Sequence, residues 1–267
     1  MAESIYESLG VRTVIDAWGT VTALGGSLMA PEVLQAMQSA AGAFVDMSEL
    51  HTAAGRRIAD LLGVEACCVT CGAAAGLAIA AAELPPKANI RKYLDDGASL
   101  VVFSGGKEIR GPQASGMILG SRELIAACDL NCCPNYGIGR PMKVDKENIC
   151  GLVKAVELFV QRDYDQIMAQ WDSYVDTIRA GLSDCPGLEM TIGIPTEPGV
   201  QPACIRRLFL RPLTMPAAAL RQALIDGEPS IYTFLYQDQI VINPQCLQAH
   251  ELSPIVQAIR GILMQHR

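Results

Sequence analysis

The chain has 267 residues, half of them hydrophobic and 18% charged, which is globular composition with enough material for a sizeable core rather than a disordered chain. A net charge of −7 argues against a broad nucleic-acid surface, which needs clustered positive charge. Ten cysteines, including the adjacent pairs Cys67-Cys68 and Cys132-Cys133, sit in apolar runs and read as reduced core thiols, not as the framework of a small disulfide scaffold.

The N-terminus, Met1-Ala-Glu-Ser-Ile-Tyr6, lacks the basic region and apolar core of a signal peptide, and no apolar run is long enough to span a bilayer. A cytoplasmic location is therefore expected.

In chain order, residues 3–10 read as a short helix and Val14-Ile-Asp-Ala-Trp-Gly19 as a short strand or extended arm. Pro31 suits the first turn of a helix, and residues 48–63 form a second, stopped by Gly63. Residues 65–70 read as a strand and 72–80 as a helix entered from a glycine turn. A short helix over 89–96 precedes strands over 99–104 and 115–120, then a helix over 121–128. Residues 145–181 carry a long amphipathic helix with a kink expected near Gln161-Arg-Asp163. Beyond it come strands over 188–193 and 203–210, a helix over 216–225, strands near 230–235 and 239–242, and a helix over 252–265. This order predicts two domains. Residues 1–144 hold an N-terminal arm and an α/β large domain, and residues 145–267 hold the linking helix and a compact α+β domain.

Two segments carry chemistry. Leu100-Val-Val-Phe103 reads as a buried strand, and Ser104-Gly-Gly-Lys107 follows it. A lysine on a glycine turn just past a strand suits a Schiff-base nucleophile, because its amine can be partly desolvated and the backbone can approach a bound cofactor. It is not a nucleotide-binding P-loop lysine, since Val101 stands where that motif needs glycine and Glu108 where it needs Ser or Thr. The second segment runs from strand 65–70 through Cys71, Gly72, Ala73 and Ala74 into a helix. Free backbone N–H groups and the helix dipole favour an anion there. The bland alternative is tight packing of an alanine-rich helix, and the lysine downstream favours the anion site. The Ser104 hydroxyl, three residues before Lys107, suits either a phosphate shared with that turn or an ordinary turn serine.

His51 lies near Arg56-Arg57 and suits either a substrate anion or a helix surface. Arg56, Arg57 and Arg110 are the candidate ligands for a substrate phosphate. Cys68-Val-Thr-Cys71 has no second ligand pair at similar spacing, so no metal site is expected.

Several of these words occur together in one group of proteins. Val14-Ile-Asp-Ala-Trp-Gly-Thr-Val-Thr22, Phe44-Val-Asp-Met-Ser-Glu-Leu50, Gly72-Ala-Ala-Ala-Gly76, Leu84-Pro-Pro86, Ser104 to Gln113 and Gly137-Ile-Gly-Arg-Pro-Met-Lys143 resemble, in order, the pyridoxal-phosphate enzymes related to bacterial L-seryl-tRNA(Sec) selenium transferase. Within that group they look most like the D-glucosaminate-6-phosphate ammonia-lyase branch. The resemblance implies the aspartate-aminotransferase-like fold (fold type I), a homo-oligomer with active sites at subunit interfaces, and an amino acid or amino sugar acid substrate. It makes Lys107 the Schiff-base lysine. It assigns the cofactor phosphate to the Cys71–Ala74 turn with Ser104.

The chain departs from this pattern between Ala78 and Glu83. The family continues there with further strand–helix units and an aspartate for the pyridine nitrogen. Here Ala80-Ala-Ala-Glu-Leu-Pro-Pro86 follows the first helix directly, and Ile79 takes the aspartate's place. At about 30 residues per unit, the loss is on the order of a hundred residues. The expected product is a reduced sheet of the three strands 65–70, 99–104 and 115–120, with one bare edge. The expected activity is α,β-elimination by a lyase, slowed by loss of the aspartate that keeps the ring an electron sink. A selenium-transferase activity is the weaker alternative, disfavoured by the acidic charge. A non-catalytic chain that binds a full-length paralogue is the alternative of a different class.

Overall fold

A computed structural model describes residues 5–71, 86–194 and 204–265. Helix α1 is Ile5–Ser8 and strand β1 is Ile15–Asp16. The extended arm ends after two strand residues because the Asp16 carboxylate accepts the N–H groups of Trp18 at 2.9 Å and Gly19 at 3.0 Å, which turns the chain. Helix α2, Pro31–Ala41, opens on the proline as expected. Helix α3, Met47–Leu62, is capped by Asp46, whose side chain accepts from Glu49 N–H, and closes at Gly63 with φ 63°. Strand β2 (Ala66–Thr70), helix α4 (Pro86–Asp95), strands β3 (Leu100–Ser104) and β4 (Gly116–Gly120) and helix α5 (Arg122–Asn131) follow. The helix expected over 72–80 lies outside the described residues.

The long helix expected over 145–181 is two helices, α6 (Lys146–Gln161) and α7 (Tyr164–Leu182), broken where the kink was expected. Arg162 leaves the helix with φ −61° and ψ 135°, and Asp163, a residue type favoured at helix starts, stands before α7. The remainder is β5 (Leu188–Gly193), β6 (Arg207–Pro212), α8 (Ala217–Asp226), β7 (Ile231–Tyr232), β8 (Phe234–Tyr236), β9 (Gln239–Ile242) and α9 (Leu252–Gln265).

Internal contacts divide the chain into two units. One runs from Thr20 to Tyr164 and also takes Cys204; the other takes the arm up to Gly19, the chain from Asp165 through β5 and the chain from Ile205 onward. The division therefore falls at the α6–α7 break rather than at residue 145, and the arm groups with the C-terminal part. The reason is packing: α6 lies against α2 and α3, and the Lys146 ammonium donates to Ala40 O at 2.9 Å.

In the first unit, β4 lies between β2 and β3 and is antiparallel to both. The three strands expected to be neighbours do form one sheet. Its period of two buries Cys67, Val69, Val101, Met117 and Leu119 in one core. Ile58 and Leu62 of α3 and Ile149, Leu152, Val156 and Phe159 of α6 complete that core. Helix α5 packs on β2 and β4. Among the described residues β3 pairs with β4 alone, so its other edge carries no strand.

In the second unit, a four-stranded antiparallel sheet in the order β5-β6-β9-β8 buries Leu208, Leu210, Ile240 and Ile242. Against it pack Leu220 and Leu224 of α8, Ile255 and Ile259 of α9, and Val175 and Ile178 of α7. β1 pairs in parallel with β7, which ties the N-terminal arm to this unit.

Candidate active site

The register of the first sheet brings two predicted segments to one end. Gly116 of β4 faces Thr70 of β2 on one side and Ser104 of β3 on the other. Cys71 follows Thr70 directly and is partly exposed, as is Ser104. Lys107 stands three residues beyond Ser104. Gly72, Ala73 and Ala74 lie outside the described residues.

The turn that carries Lys107 is closed by its own backbone. Gly105 N–H donates to Ser115 O, Gly111 N–H to Gly105 O and Arg110 N–H to Lys107 O, each at 2.8 Å. The fully buried Ser115 hydroxyl donates to Pro112 O at 2.6 Å. The glycines here serve internal packing. A Cβ on Gly106 would lie 2.5 Å from the Gln113 Cα, and one on Gly105 would lie 2.7 Å from a Leu152 methyl. That differs from the expectation that they clear space for a cofactor, since protein atoms already fill those directions. Arg110 adopts φ +59°, a left-handed conformation that costs about 1–3 kcal/mol for such a residue and persists only where the surroundings impose it.

Distant residues supply that surrounding frame. The Ser27 hydroxyl reaches Gly106 O at 3.2 Å and Lys107 O at 3.0 Å. From the α6–α7 break, Arg162 Nη1 donates to Glu108 O at 2.6 Å and Nη2 to Ile109 O at 3.4 Å. The Tyr164 hydroxyl donates to Glu108 Oε1 at 2.9 Å. Phe159 supports both: the Arg162 guanidinium lies 5.7 Å from its ring centroid, and the Tyr164 ring meets it edge-on at 5.8 Å. Burial, then the Glu108 charge, pushes the Tyr164 hydroxyl above its ordinary pKa, so it stays protonated and remains a donor.

Lys107 itself is exposed, not partly desolvated as expected. Its amine makes no hydrogen bond or ion pair with any described residue. Of the other sequence candidates, Arg110 shares the Lys107 turn, and His51, Arg56 and Arg57 lie on α3. His51 of α3 is half-buried, and its Nε2 has no hydrogen-bond partner among the described residues. Burial lowers its pKa, opposed by the Asp129 charge. Arg57 is engaged by Glu157 of α6 at 2.8 Å, and Arg56 is exposed. Sequence reasoning missed Ser27, Ser115, Arg162 and Tyr164. No local pattern marks them, because each acts through a turn that the fold alone brings near.

A primary amine that is exposed and unpaired among the described residues, on a turn held from several sides, fits the aldehyde-bearing end of pyridoxal phosphate. The Ser104 hydroxyl at the same sheet end is a suitable phosphate donor. The position matching the aspartate for the ring nitrogen, Ile79, lies outside the described residues.

The family model described as L-seryl-tRNA selenium transferase matches residues 49–170. A 5'-C-glycyluridine monooxygenase-decarboxylase from Streptomyces is 26% identical over 98% of this chain and 92% of its own length. The D-glucosaminate-6-phosphate ammonia lyase of Salmonella typhimurium is 26% identical over 98% of both chains. A solved structure of a D-glucosaminate-6-phosphate ammonia-lyase superposes over the whole of both chains with a TM-score of 0.77 at 24% identity. The alignment with the Streptomyces protein spans 379 columns against 267 residues here, so on the order of a hundred columns, about three strand–helix–strand units, have no counterpart in this chain.

The fold is that of the fold type I pyridoxal-phosphate enzymes, with a three-stranded sheet among the described residues of the first unit. More narrowly, the chain is homologous to the L-seryl-tRNA(Sec) selenium transferases and to the D-glucosaminate-6-phosphate ammonia-lyases.

Proposed function

We propose that this chain is a pyridoxal-phosphate-dependent lyase that acts by α,β-elimination on an amino sugar acid phosphate or a related amino acid. The observation that carries this reading is the exposed, unpaired amine of Lys107 on its clamped turn beyond β3. Bound pyridoxal phosphate supplies an electron sink for negative charge at the substrate α-carbon. The chain's part is positional. Lys107 holds the cofactor through its amine and, once displaced by substrate, takes the α-proton as general base. Ser104 and the Cys71, Gly72, Ala73 and Ala74 turn hold the cofactor phosphate. Ile79 in place of the family's aspartate leaves the ring nitrogen without a carboxylate partner, so turnover is slow.

The unit works as a homo-oligomer in the cytoplasm in this reading. Exposed Phe44, Tyr136, Ile138 and Met142 are apolar surface suited to a second copy. Among the described residues no helix is long and apolar enough to cross a membrane.

The alternative favoured by the missing hundred columns is a non-catalytic chain that associates with a full-length paralogue. Titration with pyridoxal phosphate followed by borohydride reduction and peptide mapping tests the anchor. Release of ammonia from D-glucosaminate 6-phosphate, abolished by Lys107→Ala, tests the lyase. An adduct on Lys107 without turnover favours the non-catalytic chain, and scattered labelling of other lysines removes the lyase reading.

A further inference from the structure

Glu108 follows Lys107 directly, and a glutamate beside a lysine in an exposed turn ordinarily has its carboxylate available to that amine. Here the carboxylate is drawn the other way. Its Oε1 accepts the Tyr164 hydroxyl at 2.9 Å and lies 3.9 Å from Arg162 Nη1. The Glu108 main-chain oxygen accepts from the same guanidinium at 2.6 Å. The Glu108 and Arg162 side chains retain only 17% and 16% of their exposure, whereas Lys107 stays in solvent. The Phe159 ring fixes Tyr164 and Arg162 in turn.

We propose that Tyr164 and Arg162 are positioning residues that hold the Glu108 carboxylate away from the Lys107 amine and so keep that amine free to react. A carboxylate paired with an ammonium favours the charged form and removes free amine, the only form that attacks a carbonyl or accepts a proton. Withdrawing the neighbouring carboxylate into a hydroxyl–guanidinium pocket removes one stabilisation of the ammonium form without burying Lys107. Arg162 makes these contacts from the α6–α7 break, where it leaves the helical conformation. The charged or titratable groups on the turn and on the junction that holds it are Glu108, Arg110, Arg162, Asp163 and Tyr164. The proposal rests on the reading of Lys107 as the anchor.

The test is competitive acetylation of the full chain with trace acetic anhydride across pH 6–11, read by mass spectrometry of the Lys107 peptide, in the absence of cofactor. In Tyr164→Phe the freed carboxylate pairs with the amine. Lys107 labelling at pH 8 is then expected to fall about two- to fivefold, the range of an exposed ion pair, with the profile moved to higher pH. Adding Glu108→Gln to that variant restores the wild-type profile, which a merely structural role of Tyr164 does not do. Glu108→Gln alone leaves labelling within about twofold of wild type, because the carboxylate is already withdrawn, and it serves if the Tyr164 variant does not fold. Unchanged labelling in Tyr164→Phe, a fall that Glu108→Gln does not restore, or a clear rise in Glu108→Gln alone overturns the proposal. Failure of Lys107 as cofactor anchor is read separately, by borohydride trapping with pyridoxal phosphate.

Discussion

The Tyr164 hydroxyl donates to Glu108 Oε1 at 2.9 Å across 56 positions of chain. This bond joins the start of α7 to the turn that carries Lys107. With Arg162 and Ser27 it makes the turn a framed structure instead of a surface loop. The consequences are measurable in both stability and reactivity.

Removing one arm of the frame gives a modest loss. Ser27→Ala deletes the hydroxyl that reaches the oxygens of Gly106 and Lys107. A hydrogen bond of this kind contributes on the order of 1 kcal/mol net. The urea midpoint is expected to fall accordingly, with hydrogen exchange accelerated in peptides covering 104–113 and little changed in β5, β6 and β9.

Filling the turn costs more. In Gly106→Ala the new Cβ meets the Gln113 Cα at 2.5 Å, and backbone cannot yield as a side-chain tip can. Overpacking of this kind costs about 1–3 kcal/mol. Chemical denaturation of Gly106→Ala beside Gly261→Ala provides the comparison, since a Cβ at Gly261 has nothing within 4 Å. Equal effects of the two substitutions would contradict the packed turn.

Phe159 links core and turn. It is 1% exposed, and its ring supports both Arg162 and Tyr164. Phe159→Ala is expected to destabilise by about 3–5 kcal/mol, as for other buried aromatics. If the chain still folds, Lys107 labelling should change in the same direction as in Tyr164→Phe.

Acidification should weaken the fold partly through His51. Burial lowers its folded pKa below the ordinary histidine value of 6.5. The unfolded chain then binds more protons between the two values, so stability is present above 6.5 and is lost as pH falls through the folded pKa. Urea midpoints from pH 7.5 to 5 should decline less steeply in His51→Gln than in the parent.

Thiol reactivity should divide the ten cysteines. All ten are free, and Cys67 and Cys68 are buried, with burial pushing both thiols well above their ordinary pKa. The thiolate is the reactive form, so these two should resist iodoacetamide at pH 8 until the protein is unfolded. Cys71, partly exposed beside the candidate site, should label earlier, as read by mass spectrometry of each cysteine peptide.

Much of the fold was legible because its signals are local. Pro31 and Gly63 bound helices by the conformations they allow, and both boundaries match α2 and α3. The apolar runs at 65–70, 99–104 and 115–120 became β2, β3 and β4 within a residue of their expected starts. The arm was overread: Val14 to Gly19 has strand composition, yet the Asp16 carboxylate captures two downstream N–H groups and ends β1 after two residues. The domain boundary was displaced because an amphipathic pattern shows that α6 has an apolar face but not which core receives it.

By itself the sequence determined the order of strands and helices, the lysine on a turn past a strand and its relation to a known family. Each of these is written in neighbouring residues. Only the tertiary structure decided that Lys107 lies in solvent and that protein atoms fill the space beside Gly105 and Gly106. It alone set the Glu108 carboxylate against Tyr164 and Arg162. The clamping of the turn depends on contacts spanning 53 to 80 positions, such as Arg162 to Ile109 O and Ser27 to Lys107 O. Such contacts arise when the sheet and helices pack, and no periodicity in the chain encodes which side chain will face which turn.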